Sequence, residues 1–129
     1  MIHLSKIRLE LARMEGFPLG SSIRGYVFIA PLTEGGQIDP VSWQSVPEKC
    51  TVIRYWGDEP VKHGLLRFVG NGWRFDYEGL AGQGNQPFFQ LDEQVIARGY
   101  HISITDHGGI KLPFRVASVE CVHNLERAA

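Results

Sequence analysis

The sequence predicts a mainly β protein: a single small antiparallel β-barrel, closed or partly open, of six to eight short strands with one short helix near residues 40–46. Three observations predict this fold. Segments with two-residue hydrophobic alternation recur along the chain, glycine-containing turns separate them, and a break in the alternation near the C-terminus indicates a bent strand. The 129 residues fit one domain, which we place at 1–122, followed by a flexible C-terminal tail at 123–129.

The composition is that of an ordinary globular protein, with 43% hydrophobic residues, 21% charged residues and a formal net charge of -1. Such a balance offers no bulk attraction to nucleic acid or to an anionic membrane, although a local basic patch remains compatible with it. No apolar run is long enough to span a bilayer and no leader pattern is present, so we expect a cytoplasmic protein. Cys50 and Cys121 lie in strand-like runs, which favours reduced, buried thiols over a disulfide.

The first half of the chain combines two predicted strands with the clearest helix signal. Residues 1–14 fit both a helix and a strand, and we choose a strand because the alternation of apolar and charged residues is the stricter pattern. The segment 15–22 is rich in glycine and serine and predicts a surface connection. Residues 24–32 form a strand with apolar residues on both faces, as in a doubly buried strand or a subunit interface. Asp39 as N-cap and Pro40 at the first position predict the helix.

Turn residues divide the second half into shorter strands. We expect a strand at 51–56, ended by Gly57-Asp58-Glu59-Pro60, and an extended lead-in at 95–97. Gly70-Asn71-Gly72 supplies the positive φ angles of a tight hairpin, and a loop follows at 78–87. The remaining predicted strands are 65–69, 73–77 and 88–91.

The closing hairpin is the most explicit element in the sequence. Strands at 100–105 and 110–116 alternate strictly and flank a turn that contains Gly108-Gly109. The apolar phase runs through even positions to Val116 and resumes at odd positions, which predicts a β-bulge near Ala117-Ser118. A bulge bends a strand, as the closure of a small barrel requires.

Four groups of residues, spread over most of the chain, resemble a family of small bacterial proteins to which no function is assigned: Tyr26-Val27-Phe28-Ile29-Ala30-Pro31-Leu32, Asp39-Pro40 with Trp43, Arg54-Tyr55-Trp56-Gly57, and Phe114-Arg115-Val116. This resemblance implies the fold and brings no catalytic residues. The pattern Gly99-Tyr100, Ile102, a glycine turn and Phe114-Arg115-Val116 is similar to the last strands of the barrel domains in elongation factor Tu-like translation factors. That likeness implies a translation-associated or RNA partner. No phosphate-binding glycine loop is present, so GTP hydrolysis is not predicted.

Two polar clusters could serve an enzyme, and both have ordinary explanations. The first is Asp58, Glu59 and His63, where a carboxylate near an imidazole suits acid–base chemistry but also fits a plain turn. The second is His101, Asp106 and His107, which flank one turn; a metal site there is the alternative to a solvated strand and a turn cap. We predict no catalytic residue, no metal site, no cofactor and no DNA-binding motif.

The most suggestive grouping is aromatic and basic. If side chains of one parity on neighbouring strands share a face, three arginines form a stripe beside stacking rings, as in barrels that bind single-stranded nucleic acid. The sequence therefore predicts a non-enzymatic binding module with an RNA or protein partner; a small-metabolite enzyme and a subunit of an oligomer are the alternatives. The predicted binding residues are Arg54, Tyr55, Trp56, Arg67, Trp73, Arg74 and Tyr77.

Overall fold

Eight antiparallel strands form a closed barrel in simple chain order, with β1 beside β8, in the computed structural model of the chain. The structure describes residues 3–69, 72–77, 88–91, 95–106 and 110–122. This architecture confirms the predicted fold class, whereas the predicted tail at 123–129 and the loop at 78–87 lie outside the described residues. The strands are β1 (Leu4–Leu11), β2 (Ser21–Pro31), β3 (Thr51–Trp56), β4 (Glu59–Val69), β5 (Gly72–Tyr77), β6 (Phe88–Leu91), β7 (His101–Asp106) and β8 (Lys111–Cys121).

The registers confirm the strand pairing of both predicted hairpins, whereas the turn residues 70–71 and 107–109 lie outside the described residues. Ile102 lies opposite Phe114 in the β7–β8 pair, and Phe68 lies opposite Trp73 in the β4–β5 pair. The predicted starts of β2 and β4 were wrong. β2 already begins at Ser21, inside the predicted connection at 15–22. β4 begins at Glu59, because the turn after β3 uses only two residues. Pro60 is tolerated there because the β3–β4 register is irregular at this point, so its missing amide hydrogen removes no regular ladder bond.

The predicted bulge is also confirmed. Arg8 of β1 lies opposite Ser118 while Leu9 lies opposite Val116, which leaves Ala117 as the extra residue on β8. The bulge lets β8 bend onto β1. Neither cysteine forms a disulfide and Cys50 is buried, as expected, but Cys121 is exposed at the last position of β8.

Aromatic rings fill the barrel interior. The Tyr26 ring centroid lies 5.2 Å from that of Phe75 and 5.1 Å from that of Phe114, and both phenylalanines are fully buried. The opposite face of β2 is also apolar, as predicted, but Val27 and Ile29 are only half-buried there. The interior of the barrel is therefore packed with side chains, and an interface between subunits on β2 stays a prediction.

The helix α1 (Pro40–Ser45) covers the end of the barrel where β4 turns into β5, and the turn η1 (Pro47–Lys49) follows it. The Asp39 side chain accepts a hydrogen bond from the Val41 amide (3.0 Å), so the predicted N-cap is confirmed. Trp43 packs against the Trp73 ring at 5.7 Å, and its Nε1 donates to the Leu66 carbonyl oxygen (2.9 Å). One apolar ring with a polar edge thus fastens the helix to the barrel.

Candidate nucleic-acid interface

The seven predicted binding residues do not share one face of the barrel. Four of them lie on the inner face, where they alternate with the outward-facing residues of their strands: Arg54, Trp56, Trp73 and Tyr77. The outer face receives Tyr55, Arg67 and Arg74. Trp73 and Tyr77 are only 7% and 1% exposed, so their rings belong to the core. The predicted single stripe of three arginines is therefore wrong.

The register explains the error. Arg54 lies opposite Lys62 on β4, and Arg67 follows Lys62 by an odd number of residues, so Arg54 and Arg67 face opposite sides of the sheet. Arg67 and Arg74 lie directly opposite each other across β4 and β5 and do share a face. Parity within each strand was visible in the sequence, but the register that relates one strand to the next was not.

The outer face of β4 and β5 carries the arginine pair. Arg67 is 53% exposed at its side chain, and its Nε forms an ion pair with an Asp76 carboxylate oxygen at 2.9 Å. Arg74 is partly exposed in the position opposite Arg67. The register thus places two positively charged residues opposite each other on this face, and the Asp76 carboxylate lies against one of them.

A cleft of about 500 Å³ adjoins this pair on the outer face of β3 and β4. Its walls include the exposed His63 imidazole and the half-buried side chains of Ile53 and Leu65, with Glu48 at the rim. His63 lies opposite Ile53, and Arg67 follows two positions after Leu65 on the same face. The outer surface of β3–β5 thus offers a shallow, partly apolar cleft beside two cationic groups.

Tyr55 lies on the outer face but is held by other contacts. Its hydroxyl donates to the Leu9 carbonyl oxygen at 3.0 Å, and the Arg8 guanidinium lies over its ring at 4.8 Å. Burial raises the pKa of this phenol, which Arg8 partly opposes. The ring that the sequence offered for base stacking is thus already covered by an arginine, and its role is structural.

The inner face holds a second arginine–aromatic contact near the β3–β4 turn. The Arg54 guanidinium lies 4.4 Å from the centre of the Trp56 ring, and its Nη1 lies 3.5 Å from a Glu59 carboxylate oxygen. Only 13% of the Arg54 side chain is exposed. Burial, followed by the neighbouring Tyr26, raises the pKa of Tyr77, so its phenol is protonated at neutral pH. These groups stabilise the end of the barrel and present little surface to a large partner.

The first proposed catalytic cluster does not converge. Glu59 lies beside Arg54 on the inner face, whereas His63 is exposed on the outer face and Asp58 is exposed in the turn. For the second cluster, His101 is exposed as expected, but His107 and the Asp106 side chain lie outside the described residues. Within the described ranges, no group of three or more His, Cys, Asp or Glu residues is arranged to hold a metal ion.

Burial also makes Cys50 a poor nucleophile. Loss of hydration, reinforced by nearby Glu48, raises the pKa of its thiol to about 11. The thiol therefore stays protonated at neutral pH, and only the thiolate is strongly nucleophilic.

Sequence reasoning missed a charged cluster on the far side of the barrel. Glu10 of β1 contacts both Arg8 (3.2 Å) and Arg115 of β8 (3.3 Å), and a groove of about 690 Å³ opens beside it. The two-residue alternation in the sequence of β1 places Arg8 and Glu10 on the polar face of this strand. Arg115 is separated from Glu10 by most of the chain, and only the closure of β8 onto β1 brings the two together.

Comparison with protein-family models, with curated proteins and with solved structures found no match. Among the helices of the described residues, none has the length and apolar character needed to cross a membrane.

Proposed function

We propose that this chain is a non-enzymatic, cytoplasmic binding module that contacts single-stranded RNA through the outer face of β3–β5. One observation carries the proposal: Arg67 and Arg74 are cross-strand neighbours on the outer face of β4 and β5, and the Arg67 side chain is 53% exposed. Such a pair of positive charges suits a phosphate backbone, because a guanidinium can donate two hydrogen bonds to phosphate oxygens.

The neighbouring cleft supplies the second requirement of single-strand recognition. Its volume of about 500 Å³ and its walls of His63, Ile53 and Leu65 would accept a base against an imidazole and aliphatic side chains. The likeness of the closing strands to translation-factor barrels is the reason for naming RNA as the nucleic acid.

Binding of a fluorescently labelled single-stranded RNA, followed by anisotropy at low and moderate salt, tests the proposal. We expect Arg67→Gln combined with Arg74→Gln to weaken binding about tenfold at low salt and to make the slope of log K against log salt shallower by about 1.4, as two lost phosphate contacts would. The double replacement Arg67→Lys and Arg74→Lys should leave the salt slope unchanged, because it keeps the charges, and should lose only the affinity that comes from the paired guanidinium hydrogen bonds.

Arg98→Gln is the matched control, because Arg98 is exposed just before β7, which is not a neighbour of β3, β4 or β5. Thermal denaturation of each variant separates loss of binding from loss of folding. The proposal would be rejected if the wild-type protein bound no RNA, or if Arg98→Gln weakened binding as much as the double variant.

A further inference from the structure

The groove beside Glu10 is a second candidate site, on the opposite side of the barrel from β4. Its floor is the outer surface of β1 and β8, and its wall is the connection between β1 and β2. Arg13, Ser22 and His101 line it and are exposed, and its volume of about 690 Å³ is in the range of small-molecule sites.

Arginines outnumber carboxylates at this groove. Glu10 is 19% exposed at its side chain and lies between Arg8 and Arg115, each within 3.3 Å. Arg13 adds a guanidinium from the wall. Arg13 and Arg115 against this one carboxylate leave a surplus of one positive charge in the lining, and Arg8 lies against the same carboxylate from outside the groove. A positive surplus favours an anionic ligand.

Arg8 and Arg115 are held in place by contacts within the protein. The Arg8 Nη2 donates to the Ser22 carbonyl oxygen (3.2 Å), and its guanidinium covers the Tyr55 ring. The Arg115 Nη2 donates to a Glu10 carboxylate oxygen, which orients the guanidinium. A guanidinium has five N–H donors, so the others can still bind a ligand. Groups that are already oriented lose less conformational entropy when they bind.

Hydroxyl and apolar groups complete the lining. The Ser21 oxygen accepts a hydrogen bond from Arg24 (3.1 Å), so the hydroxyl proton remains available for a ligand. Leu19, which is 91% exposed, lines the same groove. Leu19 gives the groove an apolar contact beside its cationic groups, which suits a ligand with an apolar body and an anionic head.

We propose that this groove binds a small organic oxyanion, a carboxylate or a phosphate on an apolar body, with Arg115 and Arg13 contacting the anion and Leu19 contacting the body. The site does not depend on RNA binding by β3–β5, because the two surfaces lie on different sides of the closed barrel.

Amide chemical shifts during titration with phenyl phosphate, 3-phenylpropionate and the neutral 3-phenylpropanol test this proposal. We expect one or both anions to shift the amides of Arg13, Ser21, Ser22 and Arg115, and the alcohol to leave them unchanged. A response to only one anion supports the site and identifies the head group.

Arg115→Gln should weaken binding of the responding anion about tenfold, the effect of losing one charge-assisted hydrogen bond. Arg13→Gln, on the exposed connection, provides a second variant if Arg115→Gln unfolds. Lys62→Gln on β4 is the control and should bind as the wild type does. The site is disproved if neither anion shifts these amides, if the alcohol shifts them equally, or if both arginine variants keep full affinity.

Discussion

Gly25 of β2 lies on the outer face between β1 and β3. It lies between Glu10 of β1 and Tyr55 of β3, and the Tyr55 hydroxyl crosses over it to reach the Leu9 carbonyl oxygen. A Cβ atom on Gly25 would overlap that carbonyl oxygen and would lie 2.8 Å from the tyrosine hydroxyl. The absence of a side chain therefore permits the hydrogen bond.

Gly25→Ala should lower the free energy of unfolding by about 2–4 kcal/mol, because the methyl group overlaps main-chain atoms and displaces the tyrosine. Gly35→Ala is the matched control, since the added Cβ would meet only the Thr33 side chain, at 3.8 Å. Urea denaturation of both variants measures the difference. Equal stabilities for the two would show that β1 and β2 adjust to the extra methyl group.

Arg8 makes specific contacts with three other residues. It covers Tyr55 and donates to Glu10 and to the main chain of Ser22. The formal net charge of -1 gives no indication of these contacts. Local arrangement, and not net charge, decides where an anionic partner would be attracted.

The helix α1 is the element whose sequence signals and observed contacts agree most fully. Six residues are too few for an isolated helix to be stable in water. Two carboxylate oxygens of Asp39 bond to Val41 and Ser42, and Trp43 fastens the helix to the barrel. Its stability therefore comes from its cap and its tryptophan anchor.

Asp39→Ala should destabilise the protein by about 1 kcal/mol, the usual effect of removing an N-cap side chain. Glu34→Ala, which removes a carboxylate that is exposed before the helix, should leave stability within about 0.5 kcal/mol of the wild type. Chemical denaturation followed by tryptophan fluorescence reports both. Identical midpoints for the two variants would mean that Trp43 alone holds the helix.

Closure of the barrel determines the properties of the whole molecule. Every strand has a neighbour on both sides, so no described strand presents an open edge for pairing with another chain. The interior is filled by rings that contact one another across the barrel, with Phe75 near both Tyr26 and Phe28 at 5.2 Å. Ligands are therefore expected on the outer surface.

Phe75→Ala should lower the free energy of unfolding by about 3–5 kcal/mol, because it removes a fully buried ring at the centre of this cluster. Ile23→Ala removes an apolar side chain that is 59% exposed and should cost less than about 1 kcal/mol. Thermal and urea denaturation give both values. A small effect at Phe75 would contradict a tightly packed interior.

Local patterns determined which segments became strands. Alternation, the Asn-Gly turn and the Asp-Pro pair predicted the hairpins and the helix start, because these signals act between residues close in sequence. The phase change after Val116 even located the bulge at Ala117, since a strand must keep its apolar side chains on one face of the sheet.

Only the tertiary structure decided which of these residues became neighbours in space. The β3–β4 register separated Arg54 from Arg67 and left Arg67 beside Arg74, and closure of β8 onto β1 joined Glu10 to Arg115. These relations depend on how distant strands align. Alignment is set by packing of the whole barrel, and no short stretch of sequence contains it.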